Sequence, residues 1–307
     1  MKRIFSTLIA AVALGMSAMA QESLVATLQH GSNLRTFYGD TALSAAHDAA
    51  ANGDIITLSA GKFQGCDVTK AITLRAGGED ITNIVSPISF TVPSGTVHSL
   101  TVEGLGFSFA GDLIFSGTAG GENVVVSKCK ANVSYHNARF LNVNATIVQS
   151  RFEGTFMVSA AGTHLTCLNS ILGNIEGSAY DIQNCNLLSG VGIDHSQIKN
   201  SIVYWGNVAL GSSNTSSHCL VLENSTGFAD SWRVRDEDGN VSLDPEYVSG
   251  DDHRLSDEAA QAYLGTDGTQ VGIYGGMHPY NTTPDYSLVK KLDVIGSHQN
   301  GKLKGIT

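Results

Sequence analysis

The feature that most constrains this chain is a short pattern that returns about every 20 residues. It runs apolar, any, small or polar, then Ser, Cys or Leu, any, and usually apolar again. Copies stand at Val102-Glu103-Gly104-Leu105-Gly106-Phe107, Val126-Ser127-Lys128-Cys129-Lys130-Ala131 and Ile147-Val148-Gln149-Ser150-Arg151-Phe152. They continue at Cys167-Leu168-Asn169-Ser170-Ile171-Leu172, Ile182-Gln183-Asn184-Cys185-Asn186-Leu187 and Ile198-Lys199-Asn200-Ser201-Ile202-Val203, with a weaker copy at Leu222-Glu223-Asn224-Ser225-Thr226-Gly227. The fourth positions are Leu105, Cys129, Ser150, Ser170, Cys185, Ser201 and Ser225, spaced by 24, 21, 20, 15, 16 and 24 residues. Leucine-rich repeats share this length but need a dense leucine consensus, and helical repeats are longer. Short strands joined by Gly/Asn turns of variable length fit a parallel β-helix instead. Each coil adds one strand to each long sheet, and coils stack at the strand spacing of about 4.8 Å.

Composition agrees with that geometry. Gly contributes 34 of 307 residues and only 15% of the chain is charged, whereas 42% is hydrophobic. Long surface helices and coiled coils need charge in bulk, and a disordered chain lacks this much apolar material. The net charge of −10 argues against nucleic acid as a partner. Residues 1–20 read as a secretory signal peptide: a basic start at Lys2 and Arg3, an apolar centre over residues 9–14, and the small-x-small site Ala18-Met19-Ala20. The expected location is therefore exported, whether extracellular, cell-surface or periplasmic, and no later stretch is long and apolar enough for a membrane span.

Five cysteines at uneven spacing, with no CxxC pair, do not make a disulfide framework or a zinc site. Cys129 and Cys185 share a repeat position three coils apart, on the order of 14 Å, beyond the reach of about 7 Å that a disulfide allows. An interior ladder of small residues containing free thiols is expected.

The ends of a solenoid need caps. Residues 40–53 read as a short capping helix with Asp40 or Thr41 as N-cap and Gly53 as the stop, placing Leu43, Ala46 and Ala50 on one face. The stretch ALSAAHDAAANGDIITLSAGKF resembles the opening of secreted bacterial right-handed parallel β-helix proteins of the pectin-lyase-like superfamily. Asp244-Pro245, Asp252-His253-Arg254-Leu255 and Gly272-Ile273-Tyr274-Gly275-Gly276 resemble their closing coil, although Glu258-Ala259-Ala260 replaces the usual Ser-Pro. The resemblance implies an all-β fold: a single right-handed parallel β-helix over residues 24–276 with a short N-terminal capping helix. Residues 277–307 are left as a tail with one or two short strands. Because this fold hosts lyases, hydrolases, adhesins and inert shafts, it does not fix the activity.

The chemistry such folds use is incomplete here. No Gly-His-Gly or Arg-x-Lys of the hydrolases is present. Ile193-Asp194-His195 is similar to a pectate-lyase segment, without its preceding Trp or its downstream Arg motif. Asp236-Glu237-Asp238-Gly239-Asn240 offers oxygen ligands for calcium but lacks an EF-hand's spacing, and a solvated turn is the plainer reading. No catalytic residue is assigned. Calcium is the single cofactor considered, with Asp236 and Asp238 as weak candidate ligands. Sugar binding favours aromatic rings with polar edges; Tyr204, Trp205, Trp232 and Arg233 are the candidates, with Asp194 and His195, against the alternative that the rings are edge packing. The favoured expectation is a non-catalytic or degenerate β-helix that binds a glycan or other surface component, or acts as a rigid scaffold. A divergent calcium-dependent polysaccharide lyase is the alternative, and a subunit that stacks through its ends is a third reading. Oligomeric state is left open.

Overall fold

In the computed structural model the repeat winds into a parallel β-solenoid of about 8 turns, 49% strand and 6% helix. The structure describes residues 24–131, 137–160, 162–188, 191–204, 209–222, 225–234, 247–248, 253–283, 297–299 and 302–304. The leader, Trp205, Asp236, Asp238, Asp244-Pro245 and Asp252 lie outside the described residues.

One flat face is an 11-stranded sheet. Its parallel part comprises Ile55–Leu58, Thr73–Ala76, Leu100–Glu103, Glu122–Ser127, Val143–Val148, His164–Leu168, Tyr180–Gln183, Gln197–Lys199 and Thr215–Ser217. The first residue of each of the first six repeat copies points inward from this sheet. Ile56, Leu74, Val102, Val126, Ile147, Cys167, Ile182 and Ile198 are paired coil to coil and fully buried. A 15-stranded sheet forms the rest of each coil. There Phe90, Phe115 and Phe140 stack face to face, with centroids 4.8 and 5.1 Å apart, because parallel in-register strands place like side chains above one another.

The third residue of each copy makes the corner between the sheets. Gly104, Lys128, Gln149, Asn169, Asn184, Asn200, His218 and Asp230 all have φ between 44° and 70°. Asn and Asp tolerate this left-handed region better than other side-chain-bearing residues. Gly104 has no alternative: a Cβ there would lie 2.5 Å from the Ala76 carbonyl oxygen. The fourth residue turns inward, and its hydroxyl or thiol is used twice. Ser150, Ser170 and Ser201 donate to the carbonyl two residues back at 2.8–2.9 Å. The same oxygens accept the N–H of Cys129, Ser150 and Cys185 in the preceding coil, at 3.1–3.2 Å. All five cysteines are free, and four are buried. Burial pushes the Cys129 and Cys185 thiols up to about 12.

The last repeat copy falls elsewhere than the sequence pattern suggests. Cys219, not Ser225, occupies the fourth position, following the corner residue His218. Ser231 occupies it in the next coil, where its oxygen accepts the Cys219 N–H. The pattern was masked because Ser216 stands where an apolar residue is usual.

The N-terminal cap holds a helix, α1 (Ala42–Ala49), shorter than residues 40–53. Thr41 is its N-cap without a side-chain bond, and Ala50, not Gly53, ends it in extended conformation. Gly53 serves the following turn, at φ +89° with the His98 ring 2.8 Å from where a Cβ would sit. Leu43 and Ala46 are buried as the helical spacing requires. A hairpin, Val25–His30 with Asn33–Tyr38, extends the flat face antiparallel beyond Ile55–Leu58. The alternating residues on either side of Gly31-Ser32 carry the signal for it.

Candidate functional site

Each coil carries two polar strips, and they meet different fates. The corner strip is occupied by the chain's own C-terminal segment. After the strand Arg254–Leu255 and helix α2 (Asp257–Ala262), capped by Ser256, residues 264–283 run back along the corners toward the N-terminal coils. Asn200 Oδ1 accepts from Thr266 N–H at 2.9 Å. Asn186 Oδ1 accepts from Ile273 N–H at 3.2 Å. Asn169 donates to the carbonyls of Ile273 and Gly275 at 2.9 and 2.7 Å. Gln149 reaches Pro279 O at 2.7 Å, and Lys128 reaches Thr283 O at 2.7 Å. The glycines of Gly272-Ile273-Tyr274-Gly275-Gly276 permit this approach. A Cβ on Gly272 would lie 2.6 Å from Asn186 Oδ1, and one on Gly276 2.9 Å from Asn184 Oδ1. The strap passes residue 276 without a break. Among the described residues farther on, Ser297–Gln299 and Lys302–Lys304 form a small hairpin.

Under the strap lies a half-buried ionic cluster. Arg151 donates to Glu153 at 2.7 Å, and His253 Nε2 lies 3.0 Å from the same carboxylate oxygen. The His253 hydrogen bond and Arg151 hold Glu153 below the usual carboxylate range, against its burial. Glu79 is 4% exposed, and its Oε2 has no hydrogen-bond partner. Burial, with Asp80 beside it, pushes its carboxyl up to about 7, against Arg151 and Lys130. The buried Tyr280 hydroxyl, raised by burial and by Glu79, is also unpartnered.

Of the described residues expected to bind a ligand, Tyr204 and Trp232 pack on one apolar cluster, and Asp194 and His195 stand at an exposed corner. Tyr204 accepts from Asn186 through its hydroxyl at 3.1 Å and meets His253 edge-on. Trp232 meets His218 and Tyr263 edge-on, with centroids 5.7 and 5.8 Å away. Both rings pack against the cluster of Ile202, Leu220, Leu255, Ala259 and Val271 that closes the C-terminal end. Arg233 donates to the backbone carbonyls of Ser225 and Phe228. Asp194 and His195 form an exposed corner where Ser213 donates to the Asp194 carboxylate and holds its pKa down. Among the described residues, no group of three or more His, Cys, Asp or Glu converges as a metal site.

Among the described residues, no segment covers the other polar strip. Side chains alternating with the inward ladder point out of the flat face. Asn123, Asn144 and His164 stand in one row; Thr73, Thr101, Val125, Thr146, Thr166, Asp181 and Gln197 stand in the next. A hollow of about 250 Å³ is lined by Ser99, Asn123, Asn144, Thr146, His164 and Thr166, by the outward side chain of Val125 and by strand backbone. Asn123 also lines a second hollow of about 240 Å³, bounded by residues 94–98 and 119–122. The loop between them fixes one carboxylate. Burial raises Glu122, but the N–H groups of Ala119 and Gly120, at 2.9 and 2.8 Å, outweigh it and hold the pKa down. No Phe, Tyr or Trp is among the described residues that line either hollow. Amide, hydroxyl and imidazole groups on a rigid, evenly spaced lattice can pair with an array of hydroxyls. The sequence signal for this site is weak, because its residues are the any-type positions of the repeat.

Compared with known proteins, the chain matches no family model, and no curated protein or solved structure matches it significantly. What is established is the class: a parallel β-solenoid of about 8 turns with a helical cap.

Proposed function

We propose that this is an exported, non-catalytic β-helix protein, akin to the pectin-lyase-like superfamily, whose flat face binds a neutral glycan. The observation that carries the reading is the pair of adjoining hollows sharing Asn123 and lined by Ser99, Asn144, Thr146, His164 and Thr166. Neutral hydroxyl arrays are matched by side chains that both donate and accept, and Asn, Thr, Ser and neutral His do so. The coil rise of about 4.8 Å is close to the advance of one sugar ring along an extended chain, so successive coils can meet successive rings. Preformed rigidity favours such binding because little side-chain freedom is lost. The lining residues include no lysine, arginine or paired carboxylates of the kind that acid–base or lyase chemistry uses.

Affinity electrophoresis against a panel of neutral and acidic polysaccharides tests this. Retardation by a neutral polymer is expected, with about tenfold loss in the double variant Asn144→Ala and Thr146→Ala. No ultraviolet-absorbing unsaturated product should form. Retardation only by acidic polymers, binding unchanged in the double variant, or turnover of a polysaccharide would each overturn the reading.

A further inference from the structure

The flat sheet ends at its N-terminal side in an open edge. The terminal strand, Asn33–Tyr38, pairs on one side with Val25–His30 and on the other with nothing among the described residues. Natural sheets protect such edges with charge, proline, bulges or shortness. This edge has six residues, a single charge at Arg35 and no proline. Leu34 and Tyr38 are 67% and 69% exposed. The opposite edge, Thr215–Ser217, is three polar residues long.

The edge is self-complementary. His30 and Asn33 close a two-residue loop, so by the antiparallel pattern Asn33, Arg35 and Phe37 bond inward to the hairpin. Leu34, Thr36 and Tyr38 therefore turn their N–H and C=O groups outward. A second copy related by a two-fold axis through Thr36 would pair Thr36 with Thr36 and Leu34 with Tyr38. Roughly six backbone hydrogen bonds would form, and every outward group would be used. The two exposed apolar side chains become direct cross-strand neighbours. Arg35 falls opposite Phe37, whose ring already attracts the guanidinium at 5.3 Å within one copy. The alternative register, centred on Arg35, sets like charges face to face and leaves Tyr38 without its apolar partner.

The geometry points to a symmetric homodimer formed by antiparallel pairing of the Asn33–Tyr38 edges, which joins two solenoids through one continuous sheet. This surface lies at the cap and is independent of the glycan reading.

Sedimentation equilibrium on the purified chain should show a concentration-dependent monomer–dimer equilibrium. Leu34→Lys and Tyr38→Glu should each weaken the dimer about tenfold. Combined in one chain they place opposite charges across the two-fold and should recover most of the affinity. Both sites are exposed, so circular dichroism should be unchanged. Thr36→Cys should crosslink the dimer on oxidation, since paired strand residues bring Cα atoms to about 5.5 Å. A monomer at every concentration overturns the proposal. So does a dimer indifferent to both single variants and not crosslinked through Thr36→Cys, which would place the contact elsewhere.

Discussion

The corner strip and the flat strip of this solenoid are made from overlapping side-chain types, on the same coils, and among the described residues only the corner strip is covered by another segment of the chain. At the corners, Gln149, Asn169 and Asn200 bond the backbone of the C-terminal strap. On the flat face, Asn123, Asn144 and Thr146 line open hollows. The lesson is that residue type does not separate a structural ladder from a binding face; backbone conformation does. Asn in the left-handed corner projects sideways from the coil edge, where a strap can lie along successive corners. Asn in an extended strand projects from the sheet plane and meets whatever covers the sheet.

If the corner strip is structural, breaking it should cost the most. Asn169 is buried and donates to two strap carbonyls, so Asn169→Ala leaves Ile273 O and Gly275 O without these donors. The expected loss is about 3 kcal/mol, read by chemical denaturation, together with faster proteolysis beyond residue 264. A loss near zero would mean that the strap is not anchored by the ladder.

The second test uses pH, and its effect is of similar size. Burial and the neighbouring Asp80 push the Glu79 carboxyl up to about 7 in the folded chain, from the ordinary glutamate value of about 4.5. A raised folded pKa means the folded state holds the proton longer. The stabilisation is complete below pH 4.5 and is lost as pH rises through 7, by up to about 3 kcal/mol. Glu153 has the opposite sign: its pKa is depressed, so its contribution is present at neutral pH and lost under acid. Glu79→Gln should flatten the decline between pH 4.5 and 7 and leave the acid limb. An unchanged profile would show that the carboxylate under the strap is solvated.

The fold was legible because the repeat fixes it at three levels. First positions such as Val126 and Ile147 are the inward stack, third positions such as Asn169 are the left-handed corners, and fourth positions such as Ser170 are the inward hydroxyl ladder. The strap was only half legible. Gly272-Ile273-Tyr274-Gly275-Gly276 stood out as a motif, but its reason, close approach to Asn184 and Asn186, depends on contacts about ninety residues away in sequence. The candidate site was the least legible. The aromatic rings of Tyr204 and Trp232 stand out in the sequence, and both pack against the apolar cluster at the C-terminal end of the solenoid. The bare hollows are instead lined by positions that the repeat leaves free.

That freedom yields the smallest and most discriminating expectation. Asn144 and Thr146 alternate outward from Val143–Val148, whose inward residues Val143, Ala145 and Ile147 are buried. Asn144 is exposed and donates to Gly121 O at 3.2 Å. Replacing both outward residues by Ala removes side chains whose polar groups water can replace, so stability should change by less than about 0.5 kcal/mol. The corner substitution Asn169→Ala should do the reverse, costing stability while leaving the open hollows intact. A protein in which both substitutions cost stability alike would have no bare face. One in which neither does would have no anchored strap. Only the asymmetry, a large loss at the corner and almost none on the flat face, is consistent with one polar strip used for folding and the other available to a ligand.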